Sequence, residues 1–464
     1  MIKNRVLQNN LNNNASANGN CLDDVSKDGY CLNDASKGGN CLGDASANGN
    51  CPVDASKDGY CLNDVSVNGY CLGDASKNGF SLNDSSKNKC FNDGLSIYIH
   101  IPFCVSKCAY CAFYSEGFDG RIADRYVEAV CKTVAFFSKK TEKEVKTIYF
   151  GGGTPTILGS DRLCLILKAV KDNFKLSENC EITFEANPKT ISETDGKKLL
   201  NFGFNRVSLG FQTSNNDCLK TLGRIHTFED AVSCYKMLES VGFNNISVDL
   251  MYALPDYSME NTVNDLNNIL KLNPKHISTY ALCIEEGTPL FDMKEKYRFP
   301  DDDEQLSVYL EICNILKEKG YEHYEVSNFC KKGFESEHNF GYWARREYIG
   351  IGSGAHSFFN NERFYVPDNR LLFIEATEKR DFLSASGLNN STSIDENDAF
   401  EENIMLSLRT CKGIKLPSLS EKMERLVKSG FANYEKGIFS LTDKGFFVSN
   451  TIIYQVLGEL SNDR

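Results

Sequence analysis

Three cysteines lie close together in YIHIPFCVSKCAYCAFYSE, residues 98–116: Cys104, Cys108 and Cys111, spaced C-x3-C-x2-C. Thiolates are the usual ligands of iron–sulfur clusters. Three of them leave one iron of a cubane without a protein ligand, and an open position lets a metal bind and activate a small molecule. The competing readings are a structural zinc loop and three incidental core cysteines. Zinc takes four ligands, and only His100 lies near enough in sequence to complete a set. Further along, Gly151-Gly152-Gly153-Thr154-Pro155 exposes backbone N–H groups and lets a ligand come close. Glu185 in FEANP, Gln212 in GFQ, Arg224 in LGRIH and Asp249 in VDLMY follow. A carboxylate suits ribose hydroxyls and an arginine suits a carboxylate. Taken singly, each of the four reads more simply as a surface or core polar group.

These residues need elements to bring them together. Six short apolar segments rich in β-branched and aromatic residues read as strands: Ser96–Phe103, Thr147–Gly152, Glu181–Ala186, Arg206–Gln212, Asn245–Leu254 and His276–Leu282. Stretches of helical period separate them: Ile122–Lys139, Asp161–Asn173, Glu193–Asn201, Phe228–Val241 and Glu260–Leu272. Arg224 is placed at the start of a helical stretch. Six βα units in series predict an α/β fold, a partial TIM-like (β/α)6 barrel with its chemistry at the carboxyl ends of the strands. The barrel and its extension span residues 91–375. Residues 395–464 read as a separate, winged-helix-like helical domain. It contains amphipathic Asn397–Leu408, a helix Ser418–Ser429 started by Pro417, a hairpin Gly430–Thr442 and a closing helix Asp443–Leu460. Residues 1–90 hold a decapeptide repeat with Gly every ten residues from Gly19 to Gly79 and Cys every ten from Cys21 to Cys71. Each unit offers too few apolar side chains to offset chain entropy, so disorder is expected there, with stacking into a small solenoid as the alternative.

A net charge of −12 argues against nucleic acid and anionic membranes as partners. No apolar run is long enough to span a bilayer and the start lacks a secretory leader, so a cytoplasmic protein is expected. Nineteen cysteines in so long a chain point away from a disulfide scaffold and toward metal ligation or buried thiols.

The cysteine motif, with Tyr98 and His100 ahead of it and Tyr110 directly before the third cysteine, resembles the HemN/HemW family of radical S-adenosylmethionine (SAM) proteins. The resemblance covers residues 95 to about 460. It implies a [4Fe–4S] cluster on Cys104, Cys108 and Cys111 that binds SAM through its open iron and, when reduced, cleaves it to an adenosyl radical. It also implies SAM contacts from Tyr98, Tyr110, Gly152, Gly153, Thr154, Glu185, Gln212, Arg224 and Asp249, which match the family's positions in identity, order and spacing. The chain departs from the family at Tyr252-Ala253-Leu254-Pro255-Asp256-Tyr257, where the usual pattern is Y-G-L-P-[GN]-Q. A positive φ at Ala253 would be strained by its β-carbon.

The family has two branches. Its oxygen-independent coproporphyrinogen III oxidases carry a further cysteine two residues after the third cluster ligand. Here that residue is Phe113, which cannot ligate iron, and the HemW branch has Phe there. HNFGYW, residues 338–343, is similar to the H-N-x-x-Y-W signature of HemW-type proteins. That resemblance implies heme contacts from His338, Asn339, Tyr342 and Trp343; a plain aromatic core around a hydrogen-bonded histidine is the other reading. The expected function is a heme chaperone that delivers heme to apo-proteins such as membrane respiratory enzymes, with dimerisation as one arrangement. The alternative is SAM-dependent oxidative decarboxylation of coproporphyrinogen III. No catalytic residue is assigned.

Overall fold

The six anticipated strands are all present in the computed structural model, which describes residues 93–462; the decapeptide repeats lie outside the described residues. They are β1 (Leu95–Ile101), β2 (Val145–Gly152), β3 (Leu176–Ala186), β4 (Arg206–Gln212), β5 (Ile246–Tyr252) and β6 (His276–Ala281). Each pairs in parallel with the next. β1 and β4 are buried along their whole length, as a parallel sheet covered by helices requires.

The crossovers are α1 (Gly120–Phe137), α2 (Ser160–Asn173), α3 (Glu193–Phe202), α4 (Phe228–Val241) and α5 (Met259–Leu270). Their ends follow from local chemistry. Asp119 caps α1 by accepting from the N–H groups of Arg121 and Ile122. Ser192 with Asp195 and Thr227 with Asp230 form capping boxes, and Gly203 and Gly242 close α3 and α4 in the left-handed conformation.

The sheet continues beyond the six units. β7 (Glu322–Glu325) and β8 (Asn328–Cys330) extend it antiparallel past β6, with β7 at the edge. On the other side β9 (Glu347–Ile351) pairs in parallel with β1, followed by antiparallel β10 (His356–Phe359), β11 (Glu362–Tyr365) and β12 (Thr392–Ser393). Between these strands lie α6 (Asp302–Glu318) and α7 (Glu337–Trp343).

The C-terminal region has α8 (Glu396–Ser407), α9 (Glu421–Lys428), α10 (Asp443–Phe447) and α11 (Ser449–Asn462). Strands β13 (Ile414–Lys415), β14 (Ala432–Glu435) and β15 (Ile438–Leu441) form a small sheet, which gives the winged-helix-like order. Two details differ from expectation. Pro417 does not start α9; Ser420 caps it, accepting from the Met423 N–H. The closing helix is two helices, broken at Val448. The region also packs directly on the barrel: the Tyr309 and Phe447 rings are 5.6 Å apart, and the Cys411 N–H donates to the Tyr324 carbonyl at 3.1 Å. Among the described residues no helix is long and apolar enough to cross a membrane.

Candidate cluster site at the carboxyl ends of the strands

The cysteine loop leaves the carboxyl end of β1. Cys104 lies on a two-residue strand, Phe103–Cys104, paired with Glu116–Gly117, so the base of the loop is closed by backbone pairing. Within the loop the Cys111 N–H donates to the Cys108 carbonyl at 3.1 Å. Ala109 ties the middle down, donating to the Leu222 carbonyl at 3.0 Å and accepting from the Leu290 N–H at 2.8 Å. Tyr110 packs beside it against the cluster containing Leu222, Leu254 and Leu290. All three thiols are half-buried, and burial pushes the Cys111 thiol up to about 11.

His100 is fully enclosed, and burial lowers its pKa to about 4, so the ring is neutral. Its Nε2–H donates to the Tyr114 carbonyl at 3.2 Å, and its Nδ1 then accepts from the Tyr98 hydroxyl at 3.2 Å. Both nitrogens are engaged, so the ring does not offer the fourth zinc ligand. It fastens the far end of the cysteine loop to β1 instead.

The glycine strip lies against this loop. A β-carbon on Gly153 would stand 2.5 Å from the Phe103 carbonyl oxygen and 2.9 Å from the Cys104 sulfur. Gly152 holds φ at 122°, and its N–H donates to Glu185 Oε2 at 3.2 Å. The Tyr149 hydroxyl donates to Glu185 Oε1 at 2.9 Å. Burial raises the Glu185 carboxyl to about 7.

A chain of polar groups joins two of the cysteines. Thr154 Oγ1 is 3.8 Å from the Cys104 sulfur and accepts from Asn187 Nδ2 at 2.9 Å. Asn187 Oδ1 accepts from Arg224 Nη1 at 3.0 Å, and the same Nη1 lies 3.6 Å from the Cys108 sulfur. Arg224 sits in the loop between the helix Asn216–Thr221 and α4, not at a helix start. Asn187 was not singled out from the sequence. Its signal is its place two residues after Glu185, just past the end of β3.

Deeper in the barrel, both carboxylate oxygens of Asp249 accept from Ser208 Oγ, at 3.1 and 3.2 Å, and burial raises its pKa. Gln212 has φ 71°, where the register of β4 against β5 shifts. The divergent loop does adopt left-handed backbone, with φ 58° at Ala253 and 52° at Asp256. The Tyr257 hydroxyl donates to Asp265 Oδ2 at 2.8 Å and lies 2.9 Å from Thr213 Oγ1, which pins this loop to the end of β4.

HNFGYW forms α7, whose N-terminal amides are held by a buried carboxylate: the N–H groups of Glu337 and His338 donate to Glu181 at 3.1 and 3.0 Å. Asn339 donates its N–H to the capping Ser336. His338 is fully enclosed. Its Nδ1 is 2.8 Å from Thr147 Oγ1, its Nε2 is 2.9 Å from the Tyr342 hydroxyl, and its ring stacks on Tyr149 at 5.0 Å. Tyr342 and Trp343 are buried too. In this arrangement the motif backs the Tyr149–Glu185 pair, and neither nitrogen of His338 faces open space. Phe113 lies half-buried just beyond Cys111.

Three half-buried thiols, a glycine strip with no room for a β-carbon beside one of them, and a guanidinium directed at another fit a three-thiolate cluster. Residues 98–269 match the radical SAM superfamily. The chain is 35% identical to the heme chaperone HemW of Lactococcus lactis, covering 78% of this chain and 97% of that one. It is 33% identical to the heme chaperone HemW of Escherichia coli, covering 79% and 98%. Among solved structures, the coproporphyrinogen III oxidase HemN of Escherichia coli shares the fold, with a TM-score of 0.67 at 20% identity over 78% of this chain and 90% of that one. The superfamily implies SAM and a [4Fe–4S] cluster, and on relatives matched over nearly their whole length this chain belongs to the HemW family of radical SAM proteins.

Proposed function

We propose that this chain is a cytoplasmic heme chaperone, binding heme and passing it to apo-proteins, with a [4Fe–4S] cluster and SAM as its resident cofactors. The observation that carries the proposal is the match, over 97% and 98% of their lengths, to relatives named heme chaperones. The oxidase similarity extends to the fold alone. Phe113 in place of a further cysteine supports the same branch.

Cys104, Cys108 and Cys111 would hold the cluster, which when bound supplies an electron to SAM. Around it each residue has a task of its own. Arg224 directs positive charge at the Cys108 sulfur. The glycine strip does not offer free N–H groups: those of Gly152, Gly153 and Thr154 are held by Glu185 and by the Ile101 and Phe103 carbonyls. Its part is the close approach to Cys104, with Tyr98 and Tyr110 packed on either side of the cysteine loop as the residues that would flank SAM. Glu185, Gln212 and Asp249 line the barrel as acceptors for hydroxyl and ammonium groups. For heme, the proposal asks something further of His338: it reaches an iron only after Tyr342 or Thr147 releases a ring nitrogen, so loading through this residue requires α7 to open. Trp343 and Tyr342 would then supply the aromatic faces.

The test is heme transfer. The heme-loaded, cluster-reconstituted chain is mixed anaerobically with an apo-protein of a b-type cytochrome, and the same preparation is given coproporphyrinogen III and SAM. Appearance of the cytochrome spectrum without protoporphyrinogen IX supports the proposal. Protoporphyrinogen IX formed without heme transfer returns the chain to the oxidase reading.

A further inference from the structure

Far from the cysteine loop in sequence, the C-terminal region meets the barrel through three side chains of different chemistry. Cys313 is on α6, His323 is on the edge strand β7, and Asp443 is the first residue of α10. One donor atom from each lies within 4.8 Å of the other two. His323 Nδ1 is 2.7 Å from Asp443 Oδ1.

The histidine ring is clamped, stacking on Phe329 at 4.0 Å and meeting Phe446 edge-on at 5.0 Å. Its orientation leaves the buried Nε2 without a hydrogen-bond partner among the described residues. Cys313 is buried, and burial pushes its thiol well up, so it stays a thiol unless a cation draws it down. Asp443 is held below the usual carboxylate range by His323 and is 39% exposed along its side chain, which gives an entry path.

We infer that Cys313, His323 and Asp443 form a divalent-metal site, filled by Zn2+, that clips the C-terminal region to the edge of the barrel sheet. Sulfur, imidazole and carboxylate are zinc's usual donors, and its bonds of about 2.0–2.3 Å place tetrahedral ligands about 3–4 Å apart. The donors here need only a small spread at the His323–Asp443 contact. The ion binds Nδ1 of the neutral ring, which then carries its one proton on Nε2, so the imidazole adds no charge. Cys313 loses its proton to solvent on binding, so one thiolate and one carboxylate balance the two positive charges. Water reaching past Asp443 completes the tetrahedron. The site is independent of the iron–sulfur cysteines and of the heme proposal.

The experiment uses the full chain with its cluster reconstituted. Zinc per chain and the thermal midpoint, with and without zinc, are measured for the wild type, Cys313→Ser and Asp443→Asn. Any zinc taken up by the repeat cysteines is common to all three, so the difference is the signal. The expected result is one equivalent less zinc in each variant, and a zinc-dependent rise in midpoint that only the wild type shows. Equal zinc content, or an equal rise in all three, overturns the site. So does a midpoint lowered in the variants by the same amount with and without zinc, since that is a packing role alone. If Cys313→Ser does not fold, Asp443→Asn at its partly exposed position decides by the same two readings.

Discussion

Arg224 and Asn187 meet at 3.0 Å, and through that contact the environments of Cys104 and Cys108 become one hydrogen-bonded unit. Arg224→Gln keeps a polar side chain but removes the charge beside the sulfur. Asn187 Oδ1 then loses its charged partner, at a cost of about 1–3 kcal/mol. Iron content should stay at four per chain while SAM binding in equilibrium dialysis weakens at least tenfold. Unchanged SAM binding would detach Arg224 from the site.

Gly153→Ala places a methyl where the Phe103 carbonyl and the Cys104 sulfur already stand. Neither backbone nor ligand can yield cheaply, so the cysteine loop must shift. Reconstitution should give less than half the wild-type iron with little change in far-ultraviolet circular dichroism. Full iron incorporation would show that the loop does not need this close approach.

Glu185 carries a pH signature. Burial lifts its carboxyl from the usual 4.5 to about 7. A raised folded pKa favours the protonated folded form, so this contribution to stability is present below about pH 4.5 and is lost as pH rises through 7. Two and a half units correspond to about 3 kcal/mol at most, less for the part of the side chain that water reaches. Relative to Glu185→Gln, the apo wild type should therefore lose stability between pH 4.5 and 7 in denaturant titrations. Parallel pH profiles for the two proteins would remove the shift.

Ala253 occupies left-handed backbone at φ 58°. Glycine relieves about 1 kcal/mol of strain there, and the lost buried methyl offsets part of it. Ala253→Gly should raise the thermal midpoint by one or two degrees, whereas a fall would show that the loop relies on the methyl contact.

Much of this is legible in the sequence alone. β4 and α4 begin and end where Arg206–Gln212 and Phe228–Val241 were read, because alternation, β-branching and capping boxes are local signals. The pairing of β9 with β1 was not legible, since it joins residues about 250 apart with no local mark of the partner. Arg224 is not at a helix start because the helix before it ends at Thr221 and α4 begins only at Phe228, after the capping Thr227. Asn187 went unnoticed because its role exists only between two loops. The cysteine motif and glycine strip were legible as chemistry. The burial of His338 is one of the two readings the motif allows, because a histidine among aromatics suits a hydrogen-bonded core as well as a heme contact, and only the fold decides.

Heme binding is the central claim, and an anaerobic titration of the cluster-reconstituted chain, followed at the Soret band, tests it most directly. A chain beginning at residue 91 is run beside the full chain, so that any heme taken up by the repeat cysteines is told apart from the site. Saturation near one heme per chain in both, weakened by His338→Ala and by Trp343→Ala, is the expected result. Absence of saturable binding in the shorter chain would contradict a heme chaperone and leave the oxidase reading in its place.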